Sequence, residues 1–232
     1  MEQRIDPIVA VTALSEPLRR RIYEHVAAIG EVSRDGAAAA LGVARSVAAF
    51  HLDKLVEAGL LETDFRRPPG RGGPGAGRPA KWYRRAEGEL SVSVPERRYQ
   101  LAATLLGRAM ARAVTGGLDV DEALRRVARD EGRKLAREIR EERQGRPAGV
   151  APAPTCQLLM GLLGRHGYEP QQAGGRITLV NCPFRALAEE QPELVCAMNL
   201  DLLRAVAEEV GLPSGAARLD PAAGRCCVTI AA

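Results

Sequence analysis

The chain has 232 residues, 46% hydrophobic and 3% aromatic, enough to bury one large core or two small ones. A formal net charge of +4 permits a polyanionic partner without requiring one. It is unevenly spread, +2 over residues 1–89, +4 over 90–149 and −2 over 150–232, so the last third is not expected to meet nucleic acid. No apolar run nears the roughly 18 residues that span a bilayer, and Met1-Glu2-Gln3-Arg4 opens no apolar signal segment. The expectation is a cytoplasmic protein with no membrane association. Five cysteines, all beyond residue 150, then read as free thiols, metal ligands or redox sensors rather than structural disulfides.

In chain order, Ile8, Val9, Val11 and Leu14 predict a short amphipathic helix over 6–14. Ser15, read as an N-cap, and Pro17 then open a helix to Ile29 with Leu18, Ile22, Val26 and Ile29 inward, stopped by Gly30. Arg19, Arg20 and Arg21 form a solvated face on it, with phosphate as a second use. Ser33-Arg34-Asp35-Gly36 opens an Ala-rich helix to Leu41, and Gly42 turns the chain into a helix over 45–58. Two short helices joined by a glycine turn form a helix-turn-helix, whose second helix enters the major groove. On that helix Val47, Leu52, Leu55 and Val56 are expected in the core. Arg45, Ser46, Ala49, Phe50 and Asp53 form the opposite face, with His51 and Lys54 at its margins. Arg45 suits guanine or phosphate, Ser46 phosphate, and Phe50 a thymine methyl; Phe50 and His51 have core roles as alternatives.

Residues 60–65 and 80–84 predict the two strands of a hairpin. From Phe65 to Arg85 there are seven basic residues and no acidic one, in a Gly/Pro-rich stretch that cannot pack a core. This predicts a wing along the phosphate backbone, with Arg71, Arg78 and Lys81 as contacts. A nucleotide-cradling loop would need a Gly-Lys-Ser/Thr step opening a helix, and there is none here. Together, Leu41-Gly42-Val43-Ala44-Arg45-Ser46-Val47, the run His51-Leu52-Asp53-Lys54-Leu55 to Ala58-Gly59-Leu60-Leu61, and Gly77-Arg78-Pro79-Ala80-Lys81-Trp82-Tyr83 resemble the ArsR-type winged-helix repressors. Their SufR-type branch is the most similar. The resemblance covers about residues 6–86 and implies a homodimer that binds double-stranded operator DNA to control transcription.

Residues 96–143 read as two helices. Leu101, Leu105, Leu106, Met110 and Val114 form one stripe, Gly116-Gly117 a break, and Leu124, Val127, Leu135 and Ile139 a second stripe. They are expected to serve dimerisation, the alternative being packing on their own domain. Residues 144–154 have linker composition. Beyond them lie a helix from Thr155, antiparallel strands over 167–172 and 176–181, a helix over 193–210 and a last strand over 225–230. The expected fold is thus α+β: a winged helix-turn-helix over 1–89, a helical dimerisation segment and linker over 90–149, and a small C-terminal α/β sensor domain with an antiparallel sheet over 150–232.

Cys182 ends a strand in this reading, Cys196 begins a helix and Cys226 lies in the last strand, so one fold could join three thiols. Strand parity points Cys227 the other way from Cys226. The plain alternative is that these are small buried hydrophobes, and no Cys-x-x-Cys pair marks a zinc site. The SufR-type resemblance implies an iron–sulfur cluster, of the 4Fe-4S kind, with Cys182, Cys196 and Cys226 as metal ligands. The spacing departs slightly from that pattern, Cys227 is additional, and Cys227, Cys156 and His166 stay open as a fourth ligand. A metal-free ligand-binding domain, and a zinc or thiol redox sensor, are the competing readings. An enzyme is not expected: none of His25, His51 and His166 has a nucleophile-and-carboxylate pattern nearby.

Overall fold

The computed structural model describes residues 6–66, 79–144 and 154–232. The chain divides into two compact units, residues 1–92 and 93–232. No helix among the described residues is long and apolar enough to cross a membrane.

In the first unit, α1 (Pro7–Ala13), α2 (Pro17–Ile29), α3 (Arg34–Leu41) and α4 (Arg45–Glu57) pack with a sheet of β1 (Glu31–Ser33), β2 (Leu61–Arg66) and β3 (Ala80–Arg85). The sheet order is β1-β3-β2, antiparallel throughout, with Val32 opposite Tyr83 and Thr63 opposite Tyr83 on the other side. Strand β1 has no sequence signature because three residues are too few to show an alternation. Helix α2 starts as its proline predicts, but its cap is Glu16 and not Ser15. The Glu16 carboxylate accepts from the backbone N–H groups of Leu18 and Arg19, while the Ser15 hydroxyl donates to Thr12 at the end of α1. Arg19 and Arg20 donate to the carbonyls of Ala13 and Leu14, so two of the three arginines satisfy the otherwise open end of α1. Ile22, Val26, Val32, Ala48, Leu52, Leu55, Leu61 and Tyr83 form the core; Leu18 is half-buried and Ile29 exposed.

The second unit comprises α5 (Tyr99–Gly116), α6 (Val120–Gln144), α7 (Thr155–Arg165), α8 (Arg185–Glu190) and α9 (Pro192–Glu209), with a four-stranded sheet. Its strands are β4 (Pro170–Ala173), β5 (Arg176–Leu179), β6 (Ala217–Leu219) and β7 (Val228–Ala231), in the order β4-β5-β7-β6 and antiparallel at every pairing. The β4–β5 hairpin turns at Gly174 and Gly175, both at positive φ, as its glycine pair predicts. Helix α8 and strand β6 lie outside the expected elements. Leu158, Leu159, Leu162 and Leu163 of α7 are buried as their spacing predicts.

Helices α5 and α6 differ from expectation in two ways. They share one core with α7, α9 and the sheet, so residues 93–232 form a single unit rather than a helical segment plus a separate domain from residue 150. The buried face of α5 is Ala102, Leu105 and Ala109, while Met110 is 63% and Val114 83% exposed. Small residues let α5 approach α6 closely, and the larger side chains turn outward. On α6, Leu124, Val127 and Ile139 are buried as expected.

A close approach between helices is at Gly132 of α6. A Cβ there would fall on the backbone carbonyl oxygen of Leu202 in α9 and within 2.9 Å of the Ala205 Cβ. In an isolated helix Gly132→Ala would gain about 1 kcal/mol from propensity. Overpacking against rigid backbone opposes this at about 1–3 kcal/mol. We expect the variant to be less stable than the parent in urea unfolding; equal or greater stability would show that α6 and α9 part freely at this point.

Candidate functional site

Two sites need description, one on each unit. In the first, the αL conformation of Gly42 (φ 68°) ends α3 and aims the chain into α4. Ala48, Leu52 and Leu55 fix the inner face of α4, which leaves Arg45, Ser46, Val47 and Phe50 exposed on its first two turns. Phe50 is 56% exposed, against the core alternative, and Val47 is also outside, where the sequence reading put it in the core. Arg45 pairs with Asp35 at 2.5 Å, and Lys54 with Glu57 at 2.5 Å. Both pairs lie at the surface, where such contacts are weak, so the cations can exchange to a phosphate.

Two expected contacts are placed differently. His51 is turned inward with its side chain 12% exposed, its Nδ1 3.4 Å from Glu16 without hydrogen-bond geometry, and its ring edge-on to Phe50. It lies against the start of α2 rather than facing solvent. Lys81 is bound to Asp53 at 2.6 Å. Asp53 also accepts from Arg34 at 2.9 Å and from the Tyr83 hydroxyl at 2.8 Å, while Arg34 donates to that same hydroxyl at 2.8 Å. Burial raises the Asp53 pKa, but hydrogen bonds from Lys81 and Tyr83 and the nearby cations outweigh it, so the carboxyl sits below its ordinary range. Burial pushes the Tyr83 phenol up to about 12. Arg71 and Arg78 lie outside the described residues, as does the loop that carries them.

In the second unit, Cys182 follows β5, Cys196 lies in the second turn of α9, and Cys226 and Cys227 precede β7. All four line one cavity of about 240 Å³, with Arg185, Glu189 and Arg225 on its wall. Their thiols form a chain of contacts, Cys182 with Cys226, Cys226 with Cys227, and Cys227 with Cys196. Cys182 and Cys226 are buried, Cys196 and Cys227 half-buried. Cys226 is not in the last strand as expected, although its N–H continues the pairing by donating to Leu179 O at 2.8 Å. The expected division by parity also fails, since Cys227 lines the same cavity. The half-buried Cys156 and His166 do not line it; His166 instead meets Glu138 at 3.1 Å.

A buried relay orients the chain of thiols. Tyr168 donates its hydroxyl to Asn199 Oδ1 at 2.6 Å, which leaves Asn199 Nδ2 to donate to Cys226 Sγ at 3.2 Å. The hydrogen bond to Cys226 and burial raise the Cys182 pKa well above the thiol range. For Cys226 the bond from Cys182 lowers the pKa, but the bond to Cys227 and burial bring it to about 12. Burial also raises Cys196. These three groups are therefore thiols at neutral pH, and a bound metal would displace their protons. Among the described residues no three His, Cys, Asp or Glu side chains stand in the geometry of a single bound ion.

Residues 14–64 match the family model of a helix-turn-helix domain, spanning the end of α1 to β2. The chain carries a helix-turn-helix domain. This makes it a DNA-binding regulator, with α4 as the second helix of the motif. No curated protein and no solved structure matches the chain. Strand β3 lies beyond the matched range and supplies Lys81 and Tyr83 to the domain's Asp53 network. The sequence reading placed Asp53 among outward residues and missed Arg34 and Tyr83, which no local spacing connects to it.

Replacing Asp53 with Asn should lower the domain's stability at pH 7 by about 1–3 kcal/mol, since charge-assisted hydrogen bonds are lost. Because the folded-state pKa is depressed, the Asp53 contribution is present above about pH 4 and lost as pH falls through the lower folded value. Urea unfolding of both proteins from pH 7 to pH 3 should show the difference shrinking. A pH-independent difference would place the effect in packing.

Proposed function

We propose that the chain is a homodimeric transcription regulator, a repressor by resemblance to the ArsR type, whose operator affinity is set by a cysteine-ligated centre in the second unit. The DNA-binding half rests on one observation: α4 of a helix-turn-helix domain presents Arg45, Ser46, Val47 and Phe50 to solvent. This set combines a charged donor, a hydroxyl and apolar contacts, as suits base edges and phosphates in the major groove.

Dimerisation is supported by the outer face of α5. Ala103, Gly107, Met110 and Val114 recur at spacings of four, three and four, and all are exposed. Small residues permit close approach and the larger pair can interlock with a second copy, as in a helical seam. Arg108 and Arg112, which flank this stripe, are paired with Glu131 and Asp130 of α6. A second copy also gives two α4 helices for a two-fold operator.

The sensory reading is supported by the convergence of Cys182, Cys196 and Cys226 on one cavity. Cysteine thiolates hold iron–sulfur clusters, and the donor set fits one: sulfur from three chain segments, with a buried amide donor on Cys226. When bound, such a cluster supplies redox and oxygen sensitivity. The protein's part is to place the sulfurs, keep Asn199 aimed at Cys226, and shield Cys182 and Cys226 from water. The thiol-to-thiol contacts favour a second reading, in which two adjacent thiols lose two hydrogens to an oxidant and form a disulfide.

Protein prepared without oxygen should contain iron and acid-labile sulfide, and its affinity for duplexes selected from a randomised pool should differ from that of air-exposed protein. Iron-free protein that loses two hydrogens on oxidation would support the disulfide switch instead. On a selected duplex, Arg45→Ala should lose about 1–3 kcal/mol and relax preference at one position, with binding falling steeply with salt. Equal loss on every sequence would leave Arg45 a phosphate contact. Met110→Glu with Val114→Glu should give monomers in sedimentation and weaken operator binding; an unchanged dimer would place the seam elsewhere.

A further inference from the structure

We propose that Cys227 is a fourth sulfur ligand of the centre held by Cys182, Cys196 and Cys226, which makes the site an all-thiolate one; this rests on the cysteine-ligated reading above. Cys227 adjoins a buried cysteine in sequence, and strand parity would send it to the opposite side. The chain does not enter β7 until Val228, so at residues 226 and 227 the backbone is still outside the regular strand. Both side chains reach the same cavity.

Within that cavity Cys227 is the link between the other thiols. It meets Cys226 on one side and Cys196 on the other, so Cys196 joins the set through it. Its half-buried position places it with Cys196, while Cys182 and Cys226 lie deeper. A centre bound between the deep and shallow pairs then meets sulfur on both. The remaining candidates for a fourth position lack this placement. Cys156 lies on α7 and packs on the core without lining the cavity, and His166 is engaged by Glu138. Glu189 lines the wall but is paired with Arg185 at 2.9 Å. Four cysteine thiolates are the usual ligand set of a four-iron cluster, and a thiol is the only soft donor left in the cavity.

The test uses the full chain, reconstituted without oxygen with ferrous iron and sulfide, as the parent and as Cys227→Ala, Cys227→Ser and Cys156→Ala. In the parent and Cys156→Ala we expect a four-iron cluster with the same visible and electron paramagnetic resonance spectra. Both Cys227 variants should lose one iron site, read as the paramagnetic signal of a three-iron cluster after mild oxidation. Circular dichroism checks folding, and thiol footprinting of the parent needs no substitution. Alkylation of Cys227 should fall severalfold on reconstitution while that of Cys156 does not. A cluster in the parent with unchanged spectra in both Cys227 variants, or with Cys227 still alkylated, overturns the fourth ligand and leaves the three-cysteine reading standing. A parent that takes up neither iron nor sulfide overturns both.

Discussion

The helix-turn-helix unit depends on the half-buried carboxylate of Asp53. Its three partners come from two elements: Arg34 opens α3, and Lys81 and Tyr83 lie on β3. A carboxylate with only one of these cations would bear most of its desolvation uncompensated. With two cations and a phenol it ties α4 to both the preceding helix and the returning strand. The pitch of α4 against the sheet, and so the presentation of Arg45, Ser46 and Phe50, is set by this cluster as well as by Leu52 and Leu55. A positive charge that looks available for DNA on sequence grounds is here part of the frame.

Much of the architecture is legible in the sequence because its signals are local. Gly42 and Gly174-Gly175 demand turns, Pro17 opens a helix, and the leucines of α7 repeat with the helical period. The misplacements share a physical cause. On α4 the buried residue is Ala48 and the exposed one Val47; on α5 Ala102 and Ala109 are inside while Met110 and Val114 are outside. A pattern weighted by hydrophobicity chooses the larger side chain, whereas closely packed helices select the smaller one. Period alone cannot decide between two adjacent stripes.

The candidate sites divide in the same manner. Arg45, Ser46 and Phe50 are exposed, as an outward face on α4 requires. His51 lies against Glu16 and Lys81 is bound to Asp53, neighbours 35 and 28 residues away that spacing does not expose. For the cysteines, sequence singles out Cys182, Cys196 and Cys226, which line one cavity, but sends Cys227 away from them, because the parity rule holds only once the chain has entered a strand. Asn199, fixed by Tyr168, was also hidden: a buried amide in a helix carries no pattern of its own.

Gly132 bears on how α6 and α9 can move within the second unit. It is the one glycine within α6, and the Leu202 carbonyl stands where any other residue would put a Cβ. Sliding one helix past the other by a turn, about 5.4 Å, would bring Ala128 or Ala136 to that spot and drive a methyl into the backbone of α9. The two helices are thus keyed in a single register. A displacement of Cys196 at the start of α9 that slid this helix a turn along α6 would meet that clash.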